Sequence, residues 1–235
     1  MKTNIKRAIL CSVLLILCGA FTAEADSLSF TGTVTADNHY AIYTGTESSI
    51  TYTNNRNDLG YWEDGYTDTY YNWSRAETFS FNVNSGDYIY VVAWSDDNIA
   101  QGWIGQFVCE ALGLTILSNT ESWEVYLNTN LNTDLNLNLG DGSAAPTADE
   151  LETDIAGVTW ETITNSITNP NSTWGTIAGI STDAYWIWGS QMLTGSGEGE
   201  YQVFRTLVSV PEPATMLLLG SGLLGAAIFR RKRTK

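Results

Sequence analysis

Apolar residues recur at every second position along much of this chain, and that period selects strand over helix. Leu28, Phe30 and Val34 alternate with Ser29, Thr31 and Thr33, and Phe79, Phe81 and Val83 alternate with Ser80 and Asn82. Successive side chains of a strand point to opposite faces, so each segment can bury one face and wet the other. Tyr88 to Trp94 is apolar throughout, the pattern of a central strand covered on both sides. Trp103 to Val108 and Tyr201 to Val208 read as further strands, with turns at Asn84-Ser85-Gly86-Asp87 and Ala36-Asp37-Asn38. Short strands at this spacing predict a mainly β chain folded as a β-sandwich.

One helix is predicted. Thr147 is placed to cap it, Glu150 to complete a capping box, Leu151 and Ile155 to share its buried face, and Gly157 to end it, giving about two turns. Val125 to Leu139 alternates Leu with Asn and Asp and reads as one long strand or hairpin. The sharper alternative is a self-associating Asn-rich edge. The loop at 140–146 is the best internal boundary, although nothing compels two domains.

Charge restricts the partners. Between Asp26 and Val210 there are 3 basic residues, Arg56, Arg75 and Arg205, against 24 acidic ones and no lysine. Phosphate neutralisation needs Lys and Arg, so nucleic acid is excluded, and anionic lipid heads would repel this surface. All 9 Trp and all 12 Tyr lie in the same stretch, enough aromatic surface to bury a core.

The remaining cations sit at the ends. Lys2, Lys6 and Arg7 precede an apolar run from Ala8 to Ala20 and a small-x-small site at Ala23-Glu24-Ala25. Residues 1–25 therefore read as a secretory signal peptide, leaving Asp26 first. Cys11 and Cys18 leave with it, so the mature chain keeps Cys109 alone and can form no internal disulfide.

The other end reads Val210-Pro211-Glu212-Pro213-Ala214-Thr215, then an apolar run to Phe229, then Arg230-Arg231-Lys232-Arg233. This resembles the PEP-CTERM sorting tail of Gram-negative bacteria. The resemblance implies export, a transient hold in the inner membrane, and recognition of Pro211, Glu212 and Pro213 by an exosortase, a membrane-embedded processing enzyme. It also implies a final setting at the cell surface or in the exopolysaccharide matrix. The physics of the segment agrees. Residues 214–229 would span roughly 24 Å as a single transmembrane helix. The basic cluster would stop transfer and fix its direction. Two prolines keep the peptide before it extended. The plainer alternative is a simple anchor, which needs no Pro-Glu-Pro and is usually longer. The expected layout is thus 1–25 signal, 26–209 ectodomain and 210–235 sorting tail.

A second resemblance runs through the ectodomain. Ala36-Asp37-Asn38 before a tyrosine strand, Gly86-Asp87-Tyr88-Ile89-Tyr90, a late Trp186-Ile187-Trp188, and Phe204-Arg205 look like galactose-binding-like jelly rolls. It implies a jelly-roll course for the sandwich and speaks to fold rather than function.

Chemistry is sparse. His39 is the only histidine, and it reads as a strand-start residue rather than a catalytic base. Cys109 lies in an apolar run and reads as a buried thiol. No nucleotide-binding glycine pattern is present. The expectation is a protein without enzymatic activity. Two binding sites are candidates. Asp37, Asn38, Asp96 and Asp97 offer oxygen ligands for a structural calcium, though Asp and Asn also favour turns for their own sake. Tyr61, Trp62, Tyr66, Tyr70 and Trp73, set among carboxylates, could stack on sugar rings or simply anchor the fold. The function expected is a structural or adhesive surface or matrix protein. The alternative is a carbohydrate-binding module of the exopolysaccharide, with a secreted hydrolase or an ice-binding protein further behind.

Overall fold

The computed structural model describes residues 27–37, 39–54, 73, 75–94, 100–128, 146–193 and 201–209. The expected signal peptide, residues 140–145 of the expected 140–146 loop, the sorting tail and its apolar helix lie outside these residues. None of the described helices is long and apolar enough to cross a membrane.

The described strands form two antiparallel sheets. The first contains β1 (Ser27–Asp37), β4 (Glu77–Asn84), β6 (Gly102–Cys109), β7 (Leu114–Leu117), β10 (Asn165–Thr168) and β11 (Tyr185–Trp188), in the order β10-β11-β6-β1-β4 with β7 beside β6. The second contains β2 (His39–Thr46), β3 (Ser49–Asn54), β5 (Tyr88–Trp94), β8 (Glu124–Asn128), β9 (Glu161–Thr162) and β12 (Tyr201–Leu207), in the order β3-β2-β5-β12-β8-β9. The chain passes repeatedly from one sheet to the other. The Ala36-Asp37-Asn38 segment, expected as a turn, is one such crossing: Asp37 ends β1 in the first sheet and His39 opens β2 in the second.

The alternating residues meet between the sheets. Leu28, Phe30, Phe81, Val83, Trp103 and Phe107 come from the first sheet, and Ile42, Ile89, Val91 and Phe204 from the second. The opposite face of the second sheet is buried as well. Tyr43, Tyr90, Val92, Trp94 and Val203 pack against Leu151 and Ile155 of helix α1 (Ala148–Ile155), with Val158 and Trp160 beside them. Coverage on both faces is why β5 tolerates no polar residue. The helix forms as its sequence dictates. The Thr147 side chain accepts from the Glu150 N–H, the Glu150 carboxylate accepts from the Thr147 N–H at 2.7 Å, and Gly157 takes a left-handed φ of 71° beyond the end. Glu152 accepts from the Ile50 N–H at 2.5 Å and ties the helix to β3.

The first sheet is strapped on its outer face by residues 169–184. Trp174 stacks on Trp186 with ring centres 4.2 Å apart and donates its indole N–H to Asp37 Oδ2 at 2.8 Å. The Gln106 amide donates to Gly179 O and accepts from Ser181 N–H. Thr33, Thr35 and Ile104, at positions that alternation assigns to solvent, are buried as a result. Of the alternation from Val125 to Leu139, Val125 to Asn128 lies in β8, and the remainder lies outside the described residues.

Register defines two ends of the sandwich. At one, Ser27 faces Asn84, and Gly45 and Leu207 both face Tyr88. At the other, Asp37 faces Gly102, and His39 and Tyr201 both face Trp94. We call these the near and far poles.

Candidate functional site at the sorting junction

The last strand is an interior one. β12 lies between β5 and β8, antiparallel to both. Its alternation sends Phe204 into the inter-sheet core and Val203 into the cluster beneath α1. Gln202 is fully buried, and its amide is used at both ends: the oxygen accepts from Gly189 N–H at 2.7 Å, and the nitrogen donates to Ser190 Oγ at 3.1 Å.

Arg205 is the cation of this strand. It is 8% exposed, and its guanidinium lies 3.9 Å from the Trp160 ring centre and 4.5 Å from that of Tyr88. Nε donates to Glu124 at 2.9 Å, and Nη1 donates to Glu47. Burial alone would lower its pKa, but the hydrogen bonds to Glu47 and Glu124 outweigh burial and hold it above the ordinary value. Beside it, burial pushes the Tyr90 hydroxyl well above the usual tyrosine range, opposed in part by the Arg205 charge. That hydroxyl has no hydrogen-bond partner among the described residues. A cation held between two rings and two carboxylates, next to a phenol that stays neutral, locks strands together.

β12 is fastened at its end. Val208 is fully buried; its N–H donates to Asp87 O at 2.9 Å, and its carbonyl accepts from Gly86 N–H at 2.8 Å. The turn that supplies both groups requires Gly86, which sits at a φ of 92°. The chain thus stays fixed to the near pole up to Val208, and the exposed Ser209 is the last described residue.

Comparison with known families places a match at this boundary, over residues 209–233. The chain carries the PEP-CTERM protein-sorting motif. It is therefore an exported exosortase substrate, anchored in the membrane before cleavage. Pro211, Glu212, Pro213 and the basic residues Arg230, Arg231, Lys232 and Arg233 all fall within the PEP-CTERM match. Neither the curated proteins nor the solved structures include a match to this chain.

The other expected site residues fare unevenly. Asp37 is described, and its carboxylate accepts the Trp174 indole N–H. Asn38, Asp96 and Asp97 lie outside the described residues. The register sets His39 opposite Trp94, the described residues that follow Asn38 and precede residue 95. Among the described residues there is no group of three or more His, Cys, Asp or Glu able to hold a metal. Of the glycan candidates, Trp73 is partly buried against the inter-sheet core, while Tyr61, Trp62, Tyr66 and Tyr70 lie outside the described residues. His39 is 6% exposed and stacks on Trp94 with ring centres 5.5 Å apart. Cys109 is a buried free thiol.

Sequence reasoning missed a polar cleft of about 370 Å³ on the open side of the sandwich, lined by Thr44, Thr46, Ser49, Thr51, Asn82 and Asn84 among others. It is bordered by β3 and β4, the last strands of their respective sheets. No local pattern marks it, because its two walls come from different sheets.

Proposed function

We propose that this chain is a non-enzymatic structural or adhesive protein of the cell surface or extracellular matrix, delivered there by exosortase processing of its tail. The observation that carries the proposal is the junction at Val208. A stably folded sandwich ends there, and the sorting motif begins at the next residue. Such an arrangement suits a domain that is released whole. The absence of catalysis is argued from what the candidate groups do. His39 is committed to a stack with Trp94, and the Cys109 thiol is enclosed by core side chains. Neither has the exposure that a base or a nucleophile needs.

The cleft between β3 and β4 favours a second reading, a carbohydrate-binding module. Its hydroxyls and amides are the groups that hydrogen-bond sugars, and the acidic ectodomain favours a neutral polysaccharide over an anionic one.

Fractionation of producing cells tests the main proposal. The mature chain should be recovered with the surface or matrix, and the purified chain should release no sugar from matrix polysaccharide. Recovery in the inner membrane alone, or measurable hydrolysis, would contradict it. Retention of the purified chain on neutral polysaccharide, lost in an Asn82→Ala, Asn84→Ala double variant of unchanged stability, would favour the second reading.

A further inference from the structure

The tether between fold and membrane is short. Three residues carry the chain from Val208 to Pro211, and six carry it to Ala214, where the expected membrane helix begins. Fully extended, these reach about 10 Å and about 20 Å. The start of the tether is fixed by the two hydrogen bonds between Val208 and the Gly86-Asp87 backbone. An enzyme acting at Pro211-Glu212-Pro213, three to five residues beyond Val208, must therefore work within about 10–18 Å of the near pole. Lipid is a poor partner for that pole. Asp87 and Glu47 lie there without a described cation beyond the buried Arg205, and anionic head groups would repel them.

We propose that the near pole of the sandwich is a contact surface for the exosortase, so that the folded domain is part of the substrate. The surface comprises the Asn84–Asp87 turn, the start of β1 at Ser27 and the end of β12 at Leu207, which is 49% exposed. The surface is open at Gly86, where a Cβ would meet nothing within 4 Å. The Val208 clamp sets the distance between this surface and the scissile segment. Gly86 and Asp87 are then positioning residues for the cleavage. This inference rests on the sorting reading and goes beyond it, because a tail recognised alone would be indifferent to the domain.

The test loads the pole with bulk. Cys109 is buried, so an introduced surface thiol can be labelled selectively with a maleimide-linked polyethylene glycol chain. Chains from Asp26 to Lys235, which lack Cys11 and Cys18, carrying Ser85→Cys at the near pole or Leu193→Cys towards the far pole (49% exposed), are labelled and reconstituted in vesicles with an exosortase. The near-pole label should slow cleavage by about tenfold or more, and the far-pole label should leave the rate unchanged. A Gly-Ser spacer of about ten residues between Val208 and Ser209 adds roughly 15–20 Å of mean reach, takes the scissile segment away from this surface, and should slow cleavage of the chain even without a label. Leu207→Cys repeats the near-pole arm at a strand position, so a folding defect in one variant does not decide the outcome. Equal rates for near-pole and far-pole conjugates would overturn the proposal, as would an unchanged cleavage rate when the spacer is inserted in the unlabelled chain. Failure of the unlabelled chain to be cut would instead strike at the sorting reading itself.

Discussion

Replacing Arg205 with Ala removes the one buried cation among the described residues, and its cost can be worked from its contacts. Two rings face the guanidinium, at 3.9 and 4.5 Å, and each such contact is worth about 0.5–1 kcal/mol where partly solvated. Two charge-assisted hydrogen bonds are lost as well. Both glutamate side chains are 52% exposed, so solvent screening reduces each bond to about 0.5–1 kcal/mol. Truncating the buried stem adds a share of lost apolar contact. The rings and hydrogen bonds alone come to about 2–4 kcal/mol. For a domain of this size about 3 kcal/mol corresponds to a fall in Tm of roughly 6–12 °C. Arg205→Lys keeps the charge but neither the flat stack nor the fork, and should fall between wild type and Ala. Urea melts of the mature chain at neutral pH measure both. An Arg205→Ala variant within 0.5 kcal/mol of wild type, roughly the noise expected of a surface substitution, would refute the idea that this cluster locks β12 in place.

Other expectations follow from single contacts. Thr147→Ala should cost about 0.5–2 kcal/mol by removing the helix cap. Hydrogen bonds from the Thr147 backbone and side chain lower the Glu150 pKa in the folded state, so its contribution is present above the unfolded carboxylate value and is lost as pH falls through the lowered one. Glu150→Gln should therefore lose stability at neutral pH and show a shallower acid-side decline in thermal melts. Trp174→Phe should keep the stack on Trp186 but lose the hydrogen bond to the Asp37 carboxylate, costing about 1.5–3 kcal/mol by chemical denaturation. Cys109 should resist a thiol reagent in the native chain and react at once in denaturant, read by absorbance; rapid native reaction would place it outside the core.

Much of the fold was legible because the signals were local. The run from Tyr88 to Trp94 stated by itself that β5 is covered twice, and Thr147, Glu150, Leu151, Ile155 and Gly157 spelled out α1 from cap to end. What escaped was set by residues far apart in sequence. Thr33 and Thr35 looked like a wet face because the strap that covers them lies at 169–184. The hydrogen bond between Asp37 and Trp174 had no local signal, because the two stand 137 positions apart. Arg205 gave no sign of being caged, since Glu47 and Glu124 are 158 and 81 positions distant. The short strands β7, β9, β10 and β11 hold too few residues for a period to show. The sorting tail was legible for the opposite reason. Its parts are contiguous, and their order alone identifies them.

Mass spectrometry of the mature protein, recovered from the cell surface or medium, tests the central claim most directly. The account predicts a C-terminus at or near Pro211-Glu212-Pro213, with every peptide from Met216 to Lys235 missing. It further predicts that Glu212→Ala leaves the full-length chain in the inner membrane. Recovery of surface or released protein with Lys235 intact would contradict the account and leave the tail as a simple anchor.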